Sequence, residues 1–201
     1  MKKHFWIRSL AAAAVCLSIP VAASRQTAFG LDSPRITLAG SSNVHAWTAA
    51  TTAVRVTHVK LAPSVAGAAF WDEVVKPGAV EAFEIAIPVA SLKSDKDGLD
   101  KNMHKALKAA QHAEITFRLV RLEPKGKALH ATGMLKVAGV EREIAFDLST
   151  ARKDTSLALK GTVDILMTDY GIAPPKAMLG MLKTDPKVTV TFEVLLGIPL
   201  T

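Results

Sequence analysis

Residues 133–148 read Gly-Met-Leu-Lys-Val-Ala-Gly-Val-Glu-Arg-Glu-Ile-Ala-Phe-Asp-Leu, a strand, a turn and a returning strand. In the second half, Ile144, Phe146 and Leu148 alternate with Ala and Asp. A period of two is typical of a β-strand that buries one face. Ala138-Gly139 supplies the turn between the two halves. The segment therefore predicts two neighbouring β-strands.

The same alternation continues on both sides of this segment. Its apolar positions are Phe83, Ile85 and Ile87; Ile115, Phe117 and Leu119; Leu157, Leu159, Val163, Ile165 and Met167; and Val188, Val190, Phe192, Val194 and Leu196. Segments near 35–40, 52–61 and 128–138 raise the count to about eight strands, and Gly-, Pro- and Asp-containing turns separate them. These patterns predict an all-β domain.

Eight antiparallel strands can form a sandwich or a closed barrel. Several strands are long and are joined by short turns, which favours an eight-stranded, up-and-down antiparallel barrel. The interior of such a barrel is filled by side chains or holds one small ligand. We expect Gly133 and Gly161, which lie within strands, to allow the bends that closure requires.

One stretch, from Asp100 to Ala110, has helical spacing instead. We expect one short α-helix of about three turns, with Asp100 as its N-cap. Such a helix is marginal in water by itself, so Met103 and Leu107 should pack against the barrel edge or mouth. A second irregular region, Tyr170 to Thr184, is predicted to be a long loop before the last strand.

Lys101, Lys105 and Lys108 follow one face of the predicted helix. Two interpretations stay open for this basic stripe. It is either a solvated surface or, if the helix rims the barrel, a binding surface for a phosphate or an anionic lipid head group.

The first 23 residues have the layout of a signal peptide, with basic Lys2, Lys3 and Arg8, an apolar run and small residues before the cut. We expect a periplasmic or secreted protein whose mature domain spans residues 24–201. Cleavage would remove Cys16, the only cysteine, and would lower the formal charge from +7 to +4. So small an excess does not indicate nucleic acid as a partner. No second apolar run reaches the length of a membrane span.

The motifs of catalysis are missing from the sequence. The histidines at 45, 58, 104, 112 and 130 are scattered, without the spacing of metal ligands. There is no nucleophile elbow, glycine-rich phosphate loop or Cys-x-x-Cys. We therefore expect no catalytic residues, no metal, no cofactor and no enzyme activity.

Two long stretches carry a family resemblance. The run from Ser91 to Phe117, with Leu99-Asp100-Lys101-Asn102-Met103-His104 at its centre, resembles the YceI-like family, and so does the segment from Gly133 to Ile144. Met167-Thr168-Asp169-Tyr170-Gly171-Ile172 resembles the start of its final part. The resemblance implies a lipocalin-like barrel in the periplasm that holds a polyisoprenoid chain. The segment Gly40 to Trp47 departs from the usual family start, which suggests a divergent branch.

The leading hypothesis is a carrier that holds an isoprenoid lipid or quinone in the barrel. The predicted ligand-binding residues are Trp47, Phe83, Ile85, Met103, Leu107, Phe117, Phe146, Ile165 and Phe192. His45 alternates with Trp47 and is a further candidate for the barrel mouth. The same apolar residues could equally pack a dry core. The alternative is therefore a structural or protein-interaction module that presents Trp71, the helix or the 170–184 loop to a partner. The sequence leaves a homodimer open.

Overall fold

The computed structural model describes residues 30–153, 155–177 and 181–197. The predicted signal peptide, residues 1–23, lies outside these ranges. The described strands are β1 Gly30–Ser42, β2 Ala46–Thr51, β3 Arg55–Leu61, β4 Val80–Pro88, β5 Glu114–Lys125, β6 Ala128–Val137, β7 Val140–Lys153, β8 Ser156–Leu166, β9 Lys176–Ala177 and β10 Leu182–Gly197. The described α-helices are α1 Phe70–Glu73 and α2 Asp97–Ala106, and 3-10 turns cover Gly67–Ala69, Val89–Ser91 and Met167–Tyr170.

The strands form one antiparallel sheet in the order β2-β1-β10-β8-β7-β6-β5-β4-β3, and β9 pairs with the start of β10. The two edge strands, β2 and β3, follow each other in the chain, because β2 ends at Thr51 and β3 begins at Arg55. Four residue steps span at most about 14 Å. The sheet therefore curls until the end of β2 lies near the start of β3, which produces a barrel-like wall, although no hydrogen-bonded pairing joins these two strands in the described residues.

The predicted all-β, lipocalin-like fold is confirmed, and each of the eight predicted strands is present. The sequence-based count missed two strands, and it gave one α-helix where the described residues contain two, since the short α1 was not expected. The strand predicted at 52–61 corresponds to β3. The first missed strand, β2, precedes it and pairs with β1 from Ile36↔Thr51 to Ser41↔Ala46. The predicted 170–184 loop contains β9, in which Lys176 pairs with Lys183.

The β6–β7 hairpin has the turn that its sequence predicts. Val137 pairs with Val140, so the loop has two residues. Ala138 and Gly139 both have positive φ values, 49° and 86°. This is the combination that a type I′ turn needs, and its twist matches that of the flanking strands.

Helix α2 begins earlier than predicted, and the expected N-cap is wrong. Lys96 occupies the cap position, and Asp100 lies inside the helix with only 5% of its surface exposed. The Asp100 carboxylate instead accepts hydrogen bonds from the Ser94 backbone N–H and hydroxyl, both at 2.7 Å. The aspartate therefore ties the helix to the segment directly before it, a contact that helical spacing does not reveal.

Candidate ligand-binding site

The curled sheet surrounds a cavity of about 490 Å³. Side chains from β1, β2, β4 to β8, β10 and α2 line it, and nearly all of the lining is apolar. The interior is therefore hollow. Protein interiors normally contain few voids larger than a water molecule, so a cavity of this size in a small domain calls for an explanation.

The cavity identifies the inner face of each strand. Outward-facing neighbours carry charge and pair across strands, as in Lys160–Glu193 at 2.6 Å and Lys187–Asp164 at 2.7 Å. Both pairs are largely exposed, so they add little stability. Because the charged positions face outward, the alternating apolar positions of the same strands face the cavity.

All nine sequence-predicted ligand residues lie on the cavity lining. They are Trp47, Phe83, Ile85, Met103, Leu107, Phe117, Phe146, Ile165 and Phe192. Their contact with a ligand stays a prediction. Each of the nine side chains borders open space, and Met103 and Leu107 also pack in a buried cluster.

Three aromatic rings on the wall lie across glycines of neighbouring strands. A Cβ atom built on Gly161 would be 2.3 Å from the ring of Phe192, and one on Gly133 would be 2.3 Å from that of Phe117. At Gly40, the ring of Trp47 is equally close. Each glycine thus lets a ring lie against the sheet. The sequence analysis expected Gly133 and Gly161 to allow bends in the strands. A bulge between Leu119 and Arg121 does lie next to Gly133. The contacts between the glycines and the rings were not predicted.

The phenylalanines form a continuous aromatic group at mid-height of the barrel. The ring centroids of Phe117 and Phe146 are 5.7 Å apart, and those of Phe146 and Phe192 are 5.1 Å apart with planes at 72°. Edge-to-face and tilted contacts at these distances are favourable. The group stiffens the wall along which an apolar chain would lie.

Apolar side chains close one end of the barrel, the α1 end. Phe70, Trp71 and Val74 pack there with Leu157 and Leu196 in one buried cluster. Trp71 is 4% exposed, and its indole N–H donates to the Thr155 carbonyl at 2.8 Å. The expectation that Trp71 is presented to a protein partner is therefore wrong.

Helix α2 covers the opposite end, the α2 end. Met103 is buried against Ala49 and Leu92, and Leu107 and Ile115 pack on the same cluster, as the sequence predicts. Two backbone hydrogen bonds between Ala50 and Lys93 anchor the preceding segment to β2.

The buried Asp100 strengthens this anchor. The hydrogen bond from the Ser94 hydroxyl is the main cause that lowers the pKa of the Asp100 carboxyl below its usual value. His104 adds a contact of 2.9 Å between its Nε2 and the Leu92 carbonyl. The helix is thus held at the mouth by polar contacts as well as by packing.

Polar lining residues concentrate at the α2 end. They come from the β1–β2 turn, from α2 and from the β9–β10 corner: Ser42, His45, Lys96, Asn102, Lys176 and Thr184. His45 and Trp47 both line the cavity, as their alternation predicts. Tyr170 also lines it, and sequence reasoning did not select Tyr170 as a site residue; its only signal was its place in a family-like segment. Arg35 of β1 and Glu193 of β10, which pair with each other nearer the start of β1, also border the cavity. The α2 end therefore carries most, but not all, of the polar lining.

The lysine stripe faces away from this site. Lys101, Lys105 and Lys108 are exposed, as expected, but none of them borders the cavity. The lysines that do border the cavity at this end are Lys96, just before the helix, and Lys176 of β9. The geometry favours a solvated face for the stripe.

Within 30–153, 155–177 and 181–197, no three His, Cys, Asp or Glu side chains come together as a metal site. No helix in these ranges is long and apolar enough to cross a membrane.

Comparison with known proteins connects this architecture to a family. The family model for the YceI-like domain matches residues 39–196. The chain belongs to the YceI-like family. The match begins inside β1 and ends in β10, so it includes nearly the whole curled sheet of this YceI-like domain. Among curated proteins, none matches the chain.

Solved structures share the fold of this YceI-like protein at low sequence identity. Burkholderia cenocepacia BcnA has a TM-score of 0.65 at 15% identity, over 83% of this chain and 99% of that one. A polyisoprenoid binding domain from Saccharophagus degradans, implicated in plant cell wall breakdown, has a TM-score of 0.62 at 16% identity, over 87% and 100%. The Campylobacter jejuni YceI protein has a TM-score of 0.53 at 15% identity, over 97% and 91%.

Proposed function

We propose that this protein is a non-enzymatic carrier that holds an isoprenoid-type lipid or quinone in its barrel after export to the periplasm or the cell exterior. The single observation that carries the proposal is the hollow, apolar cavity of about 490 Å³. This volume lies within the range of small-molecule sites, which is about 300–1,000 Å³.

The energetics agree with this function. Each buried methylene is worth about 0.8 kcal/mol. Ten buried carbons would therefore supply about 8 kcal/mol of gross transfer energy, comparable with micromolar binding before association costs are subtracted. Such binding needs no catalytic group. The aromatic group of Phe117, Phe146 and Phe192 offers flat apolar surface to an unsaturated chain.

The family supports the same reading. One solved structure with this fold is described as a polyisoprenoid binding domain. Export rests on the signal-peptide pattern of residues 1–23. The alternative is a protein-interaction module with a self-filled barrel that presents Trp71, the helix or the 170–184 loop. The cavity and the burial of Trp71 favour the carrier over this module.

The experiment measures lipid content and uptake. The chain is expressed with its own N-terminus, collected from the periplasm and examined by native mass spectrometry. It is then stripped with organic solvent, refolded and titrated with an isoprenoid quinone. We expect a co-purifying lipid or stoichiometric uptake. A protein that is empty in every preparation and also rejects added isoprenoids would refute the proposal.

Two neighbouring residues on β5 provide a matched pair of variants. Leu119 lines the cavity, whereas Val120 points outward and is 50% exposed. Leu119→Trp should fill the cavity and reduce uptake, because the indole occupies space that the ligand needs. Val120→Trp adds the same group outside the barrel and should bind like the parent. Equal uptake by both variants would place the ligand elsewhere.

A further inference from the structure

Two buried hydrogen-bond donors in the cavity wall lack partners. Among the described residues, the indole Nε1 of Trp47 and the hydroxyl of Tyr170 are buried without a hydrogen bond. Native proteins pair nearly all buried polar atoms, because an unmade bond is costly. Both residues line the same cavity. A shared cavity makes a ligand group the natural partner for both.

Both donors belong to the α2 end. Trp47 lies opposite Gly40 on β1, and the same register row continues through Val188 to Ile165. Ile165 packs against the buried cluster that contains Tyr170. Leu107 of α2 contacts this cluster and also the neighbouring cluster around Met103. The two donors are therefore at the polar end of the barrel.

Packing and a tight turn hold Tyr170 in place. It is 2% exposed and packs with Val137, Ala138 and Ile172. A 3-10 turn ends at this residue, and Gly171 follows it with a φ of 65°, donating its N–H to the Thr168 carbonyl. Burial raises the pKa of the Tyr170 hydroxyl. At neutral pH the group is protonated and can donate a hydrogen bond.

The two donors select the chemistry of their partner. Neither is charged, and both need an oxygen or nitrogen acceptor. An anionic phosphate buried beside them would lose its hydration without gaining a buried cation, which is unfavourable. The cations on the lining, Arg35, Lys96 and Lys176, are all exposed to solvent, so none of them is a buried partner for an anion. A neutral carbonyl oxygen satisfies the donors without this cost.

We propose that Trp47 and Tyr170 form a head-group subsite for a neutral carbonyl oxygen, such as that of a quinone. The inference rests on the proposed function and adds the chemical class of the head group and the direction in which the ligand lies in the barrel. The head lies at the α2 end, and the chain runs past the phenylalanine group toward the apolar α1 end. The subsite distinguishes lipids that have the same tail and different heads.

The test compares three probes that differ in the head: an isoprenoid quinone, an isoprenoid hydrocarbon of similar length and a polyprenyl monophosphate. Tyr170→Phe and Trp47→Phe each remove one donor. We expect each variant to lose about 3- to 10-fold in quinone affinity, as one hydrogen bond predicts. Hydrocarbon affinity should be unchanged in Tyr170→Phe. Trp47→Phe also changes the cavity volume, which affects the hydrocarbon as well. The ratio of quinone affinity to hydrocarbon affinity therefore isolates the loss of the hydrogen bond.

Two readouts separate binding from structure. In the ligand-free protein, Tyr170→Phe removes a buried hydroxyl without a partner, so its melting temperature should rise, by about 2–4 °C. The infrared carbonyl stretch of bound quinone should lie at lower frequency in the parent than in either variant, because hydrogen bonding weakens the C=O bond. A purely structural role for Tyr170 would move neither readout in this direction.

The outcomes distinguish the two proposals. Failure of the parent to bind both quinone and hydrocarbon overturns the carrier function. Parent binding of both, with equal affinity ratios in all variants, overturns only the subsite. Tighter binding of the phosphate than of the quinone overturns the neutral head group and assigns the head to the lysines at the mouth.

Discussion

Gly161→Ala tests whether the wall glycines keep the cavity open. The new Cβ would lie 2.3 Å from Cζ of Phe192 and 2.8 Å from its Cε2, whereas ordinary contact begins at 3.4 Å. The ring must therefore retreat by more than about 1 Å. The sheet backbone lies behind it, so the open direction is into the cavity, beside Phe146.

The displaced ring occupies ligand space. A shift of this size removes room for roughly one or two methylene groups, about 0.8–1.6 kcal/mol, which corresponds to a 4- to 14-fold higher Kd. Destabilisation should be modest, about 0–2 kcal/mol, because the obstacle is the far end of a side chain and alanine reduces the entropy of the unfolded chain. Isothermal titration with an isoprenoid quinone measures the Kd, and urea unfolding measures the stability.

Three further variants identify the cause. Adding Phe192→Leu to Gly161→Ala removes the ring and should recover most of the affinity. Gly133→Ala meets the Arg118 carbonyl at 2.7 Å as well as the Phe117 ring, so its loss of stability should be larger. Gly98 has nothing within 4 Å, and Gly98→Ala in α2 should stabilise by about 0.5–1 kcal/mol. Unchanged quinone affinity in a folded Gly161→Ala protein would refute the reasoning.

Three other predictions concern helix α2. Lys108 follows the helix at a φ of 53°, so Lys108→Gly should stabilise by about 0.5 kcal/mol in thermal unfolding, and a lower melting temperature would contradict this. The lowered pKa of Asp100 contributes stability that is present above its ordinary value of 3.8 and is lost as the pH falls through the folded pKa. Urea unfolding of Asp100→Asn should therefore show a weaker dependence on pH in that interval than the parent. Replacing Lys101, Lys105 and Lys108 together by Glu should leave binding of quinone and polyprenyl phosphate unchanged at low and high salt; a salt-dependent loss for the phosphate alone would make the stripe a head-group surface.

The amino-acid sequence by itself determined the class of fold and the apolar face of each strand. Alternation at Ile144, Phe146 and Leu148 depends only on the two-residue repeat of a strand, and the Ala138-Gly139 turn depends only on local φ values. These are properties of short segments, so they can be read without knowing their neighbours. The nine predicted wall residues followed from the same period of two and from helical spacing in α2.

The tertiary structure alone decided that the interior is hollow and that most of its polar lining lies at one end. That outcome depends on how far the sheet curls and on which strands become neighbours, such as β10 between β1 and β8. Register places Phe192 of β10 opposite Gly161 of β8, although the two residues lie far apart in sequence. Tyr170 owes its role to burial among residues of β6 and the β6–β7 turn. Such contacts arise from long-range pairing, which the periodicity of one segment does not encode.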